Sequence, residues 1–210
     1  MTGDHTISVT FALKTYTITA SAGTGGTITP SGSVTVDHGD EQTFTFTPAE
    51  GYEVSGFTVD GAPQPAADSY TFTNVTSDHT ISVTFALKTY TITTVVGPNG
   101  SISPSGPVTV EHGSSQRFTF TPAEGYEVVN VRVDGTSVDS LSGYTFTNVV
   151  SNHTISVAFA IKTYTIIPQA GPHGSIVPSS PVVVEHGSDQ SFNITPESGF
   201  AVEDLSLIHI

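Results

Sequence analysis

Apolar and polar residues alternate along most of this chain. Residues 15–19, 34–36, 43–47, 70–73 and 81–85 each set an aliphatic or aromatic side chain at every second position, with Thr or Ser between. A period of two belongs to a strand with one face buried and the other wet. In the run around Phe44 and Phe46 the threonines form the wet face; Thr is β-branched, suits an extended backbone and tolerates water. No helical period of comparable length interrupts these runs. Turn residues punctuate them: Gly25-Gly26, Asn99-Gly100 and His173-Gly174 mark one hairpin, and Asp60-Gly61 and Asp134-Gly135 mark another. Pro48, Pro122 and Pro196 close the Phe-rich strand, because proline cannot donate to a continuing ladder. The apolar parity changes between Tyr126-Val128 and Val131-Val133, which predicts a β-bulge near Val129-Asn130.

The pattern recurs with a period of 74 residues and no insertion. Between the first two full copies 46 of 74 positions are identical. Such a period defines an array of small domains. Residues 14–87 and 88–161 are two repeat units, 162–210 is a truncated third, and 1–13 is the tail of a preceding unit, with Met1 at the position of Val75. Ile208-His209 falls where Asp60-Gly61 makes a turn, and residues 205–210 match a translated sequencing adapter; they are expected to carry no function. The expected fold is all-β with little or no helix: a tandem array of small antiparallel β-sandwich-like domains. Six or seven short strands per unit would enclose a core of Tyr16, Phe44, Phe46, Tyr52, Phe72 and Phe85.

Composition narrows the function classes. Lys and Arg number 5 against 19 Asp and Glu, a formal charge of −14, whereas nucleic acid or an anionic membrane would need clustered cations. There is no cysteine, so neither a disulfide nor a thiolate metal site is available. No long apolar run suggests membrane insertion of this segment.

The order KTYTIT, Gly-Gly, Pro-Ser-Gly, His-Gly, FTFTP, Gly-Tyr, Val-Asp-Gly, YTFTNV and HTISV resembles the divergent internalin B-repeat family, and the likeness extends over nearly the whole chain. The resemblance implies a bacterial, extracellular or cell-surface, adhesin-like protein. It carries no catalytic residue over to this chain, and it implies a β-grasp-like roll as the alternative fold.

Candidate chemistry was weighed residue by residue. His38, His112 and His186 follow an acid and precede Gly, which offers an acid–imidazole pair or a polar strand end; a tight metal site needs three or four ligands. His5, His79 and His153 stand at a strand entrance, and His173 lies in a turn. Glu50 with Glu53, and Glu124 with Glu127, flank Gly-Tyr and would suit calcium only with further oxygens; the third copy has Glu197 but Ala201. Lys14, Lys88 and Lys162, with Asn74 and Asn148, are the residue types of a Lys–Asn cross-link. No phosphate loop or Ser–His–Asp constellation stands out, and the expectation is no catalytic residue, no metal and no cofactor.

The joint between repeats is the most suggestive feature. Only Leu87-Lys88 separates the last apolar strand of one unit from the first of the next, and the inward parity switches there. So short a link without Gly or Ser is not a flexible coil. The expectation is a semi-rigid stalk, each unit adding roughly 30 Å, that presents other modules of a surface or secreted protein. The alternative is an adhesive module that takes surface glycan or host protein through the variable loops, 62–69 against 136–143; neighbouring repeats are the other expected partners.

Overall fold

The computed structural model describes residues 2–206; of the segment read as adapter, residues 207–210 lie outside it, as does the turn position at Ile208-His209. Among the described residues there is no helix, so the roll with a helix finds no counterpart. The fold is all-β, in small sheets repeated along the chain.

The first repeat holds β1 (Thr15–Ala22), β2 (Gly26–Thr29), β3 (Gly32–Asp37), β4 (Gln42–Pro48), β5 (Tyr52–Val59), β6 (Ala62–Gln64), β7 (Ser69–Phe72) and β8 (His79–Leu87). Five of them form one sheet in the order β3-β1-β8-β5-β6, and three form another in the order β2-β4-β7. The second repeat runs through β9 (Thr89–Val96), β10 (Gly100–Ser103), β11 (Val108–Glu111), β12 (Gln116–Pro122), β13 (Tyr126–Val133), β14 (Thr136–Val138), β15 (Gly143–Phe146) and β16 (His153–Ile161), with the same two strand orders. Eight strands per repeat exceed the six or seven expected, because β6 and β14 are short edge strands after an Asp-Gly turn.

The expected antiparallel pairing holds with one exception per repeat. β1 pairs parallel with β8, from Ile18 opposite His79 to Ala22 opposite Val83, and β9 pairs parallel with β16. A period of two reports which face is buried and is silent on strand direction, so this pairing could not be read from it. The bulge lies where parity placed it: the β13–β16 register shifts between Val128 and Asn130, and β5–β8 shifts between Val54 and Gly56.

The two sheets of the first repeat meet over an apolar core. Phe44 is fully buried, and Phe46, Phe57 and Phe72 nearly so. Phe46 on β4 lies 5.1 Å, centroid to centroid, from Phe57 on β5, and Phe57 lies 5.5 Å from Tyr70 on β7. Phe44 and Phe72 meet edge to face at 6.0 Å, a favoured arrangement of ring quadrupoles. Of the expected core, Phe44, Phe46 and Phe72 are central, Tyr16 and Phe85 pack against it, and Tyr52 is half-buried. The aliphatic Ile18, Ile28, Ile81 and Val83 complete the interior. No polar or charged residue is buried among the described residues, so burial proceeds without a desolvation penalty.

By Cα proximity the chain divides into two compact units whose border crosses the second repeat. The first unit comprises the residues up to Thr91 with Thr109–Ser115 and Thr147–Ser151; the second comprises Ile92–Val108, Gln116–Phe146 and the residues from Asn152 onward. The second unit includes β17 (Thr163–Ile166), β18 (Gly174–Val177), β19 (Val182–Glu185) and β20 (Asn193–Pro196), in two separate ladders, β17-β19 and β18-β20.

Candidate functional site

Within the first unit, the residues around Lys88 form a polar and steric clamp. The Lys88 N–H donates to the Gly51 carbonyl at 2.8 Å, and the Lys88 carbonyl accepts from the His112 N–H at 2.8 Å. One residue thus has its two backbone groups tied in opposite senses. Gly51, in the turn between β4 and β5, is buried and has φ +79°; a Cβ there would overlap the His112 ring. His112 is half-buried, and its Nδ1 shares a hydrogen bond with the Tyr90 hydroxyl at 3.3 Å.

The second unit repeats the arrangement. Lys162 N–H donates to the Gly125 carbonyl and His186 N–H to the Lys162 carbonyl, each at 2.8 Å. The His186 ring occupies the space a Cβ on Gly125 would need, and the Tyr164 hydroxyl meets its Nδ1 at 3.4 Å. Gly199, the corresponding residue of the third copy, has φ +85° and no atom within 4 Å of a built Cβ. Positive φ is therefore common to all three glycines, while the imidazole cover belongs only to the two that precede another repeat.

This places the His38, His112 and His186 group. Each ring pairs with a tyrosine of its own repeat, Tyr16, Tyr90 or Tyr164, at centroid distances of 5.8, 5.9 and 6.0 Å. The partner is that tyrosine and not the acid beside it in sequence. His38 is exposed.

The other histidines meet acids that sequence reading did not connect. His79 Nδ1 lies 2.7 Å from Asp60 Oδ2, and the other Asp60 oxygen accepts the Thr80 N–H at 2.7 Å. His153 and Asp134 repeat this at 2.7 Å. Ser77 Oγ stands 3.4 Å from His79 Nε2, so hydroxyl, imidazole and carboxylate form a line that the sequence, with 19 residues between Asp60 and His79, did not disclose. The recurrence of Asp-Gly and His at one separation in both copies was the available signal. Ser77 is exposed, and the His79 ring packs 4.9 Å from Phe72, so the line pins the entrance of β8 to the Asp-Gly turn.

Asp60 and Asp134 both titrate below the ordinary carboxylate value of 3.8. At Asp60 the Thr80 N–H is the largest cause and the His79 hydrogen bond the next. At Asp134 burial pulls upward most strongly, and the His153 and Thr154 hydrogen bonds with the His153 charge together outweigh it.

The remaining candidates separate. Glu50 and Glu53 are exposed on either side of buried Gly51, as are Glu124 and Glu127 beside Gly125. No group of three or more His, Asp or Glu poised for a metal occurs among the described residues. Asn74 (φ 50°) and Asn148 (φ 52°) occupy left-handed turns beside Gly39 and Gly113. His173 stacks on Phe200 at 4.1 Å and lies 3.3 Å from Glu197. In the variable loop of the second repeat, Leu141 is 54% exposed beside Val129 at 50%, where the first repeat has Ala and Ser.

A family model described as the divergent InlB B-repeat domain matches residues 16–89 and 90–163 in tandem. None of the curated proteins compared matches the chain.

Two outcomes follow. Gly51→Ala should speed amide exchange at Lys88 and His112 about tenfold or more, through loss of ~1.4 kcal/mol of local stability. Gly61→Ala, with the same positive φ but open space around it, should leave those amides unchanged; equal effects would remove the steric role of His112. Asp60→Asn keeps a side chain that tolerates positive φ and should cost about 0.5–1 kcal/mol at neutral pH, since the carboxylate is half exposed. A depressed carboxylate contributes stability above its ordinary value and loses it as pH falls below. The gap between wild type and variant in urea unfolding should therefore close as pH drops through 3.8 and below.

Proposed function

The chain belongs to the divergent InlB B-repeat family, tandem modules of a kind typical of bacterial surface proteins, and from that premise we propose that it is a non-catalytic, extracellular spacer that holds other modules away from a surface. The observation that carries this reading is the clamp at Lys88, repeated at Lys162. Each joint residue is bound through both its N–H and its C=O, and each is capped by an imidazole seated on a glycine. A connector without free backbone groups resists bending, and resistance to bending at every joint is what a spacer requires. The charge of −14 and the Thr-covered strand faces support an exposed, non-adherent surface. The Ser77–His79–Asp60 line serves strand placement in this reading, since catalysis would further need oxyanion donors around a bound substrate.

Small-angle scattering on the intact chain tests the proposal. The distance distribution should keep a defined inter-repeat maximum, and insertion of four Gly-Ser residues between Leu87 and Lys88 should blur it. A native profile as broad as that of the insertion variant would end the spacer reading.

A second reading, adhesion through the variable loop, is favoured by exposed Leu141 and Val129. Retention on an immobilised glycan or host-protein surface, lost in Leu141→Ser, would support it; no retention on any such surface would discard it.

A further inference from the structure

Residues 2–13 enter no strand, and Ile7, Val9, Phe11 and Leu13 are 96%, 70%, 91% and 62% exposed. Yet residues 5–13 read HTISVTFAL, letter for letter the sequence of β8. In β8 the counterparts of Ile7 and Val9 are Ile81 and Val83, 1% and 0% exposed, because that strand lies between β1 and β5. The segment has the side-chain pattern of a central strand and is paired with no sheet.

A matching edge exists in the second unit. β17 and β19 correspond to β1 and β3, and among the described strands β17 pairs with β19 alone. β1 turns the N–H groups of odd-numbered residues toward β8: Thr17 donates to the Asp78 carboxylate at 2.8 Å, and Gly23 to the Val83 carbonyl at 2.9 Å. Their counterparts two periods on are Thr165 and Gly171. Pro168 replaces Ala20, an even position whose N–H side faces β3. Its missing donor thus falls on the β19 side and leaves the outer edge of β17 able to accept a strand.

We propose that residues 5–13 of one copy add in parallel to the outer edge of β17 in a second copy. The β1–β8 register carries over as Ile166 opposite His5 and Ala170 opposite Val9, with Asp4 accepting the Thr165 N–H as Asp78 accepts that of Thr17. Main-chain bonds supply the attraction and alternate side chains the specificity, as in other cases of strand addition. The two surfaces differ, so the contact is heterologous and propagates head to tail instead of closing as a symmetric dimer. This interface is independent of the spacer reading: a stiff chain that stays monomeric, and a loose chain that associates, are distinguishable results.

Sedimentation velocity on the full chain over a concentration series is the test. The average sedimentation coefficient should rise with concentration. Val9→Asp should abolish the larger species, because a carboxylate at the counterpart of fully buried Val83 cannot be accommodated. Residues 2–13 form no strand, so this change leaves the folded repeats intact. Thr10→Asp, at the counterpart of exposed Thr84, should retain assembly. An excess of a peptide spanning residues 4–13 should dissolve it, and a scrambled peptide should not. A monomer at every concentration, or equal effects of Val9→Asp and Thr10→Asp, would overturn the proposal.

Discussion

Each repeat is closed by the parallel pairing of its first strand with its last. β8 lies between β1 and β5, and without it the five-stranded sheet falls into the pairs β3-β1 and β5-β6. The Thr17–Asp78 hydrogen bond spans 61 residues of chain, so nearly the whole repeat must be in place before its sheet is continuous. The same chain shows what the pairing accomplishes. Ile81 and Val83 in β8 are almost wholly buried, while Ile7 and Val9, in an identical stretch without a sheet, face solvent. The hydrophobic gain belongs to the pairing and not to the residues alone.

Closing the sheet with the last strand also sets the place of the joint. Since β8 ends at Leu87 and β9 begins at Thr89, Lys88 alone lies between them, beside the Gly51 turn. Its backbone groups cannot both find partners along one strand, so one bonds back to Gly51 and the other forward to His112. The imidazole then covers a glycine that has no room for a methyl group. Histidine serves here as a flat, polar-edged ring anchored by a tyrosine hydroxyl, a packing role for a residue type usually considered for its chemistry. The second histidine of each repeat does electrostatic work at the opposite end of its strand, tying the β8 or β16 entrance to an Asp-Gly turn.

Strand identities, turns and the bulge were legible because each depends on residues within a few positions of one another. Phe44 and Phe46 alternate with threonine, Asp60 precedes glycine, and parity slips around Val129; such features act through local backbone geometry. The Phe-rich part of the core was legible for the same reason. The contribution of Phe57, Ile18 and Ile28 was harder to see, because burial from both sheets depends on which strands stack. Of the candidate site, the tight joint at Lys88 was visible as a missing linker, and the histidines were visible as recurrent. Their partners were not: Asp60 with His79, Tyr90 with His112 and Gly51 with His112 are joined by topology over separations that no local pattern encodes.

By itself the sequence determined a string of alike β domains with apolar inner faces, hydroxyl-covered outer faces and almost no connector. Those properties follow from side-chain period, residue conformational preference and chain length. Only the tertiary structure decided that the first and last strands run side by side, that a backbone amide and carbonyl of one lysine hold each joint, and that an imidazole fills the space over a glycine. These are outcomes of contact between distant segments, where shape and hydrogen-bond direction select among pairings that the alternating pattern leaves equal in energy.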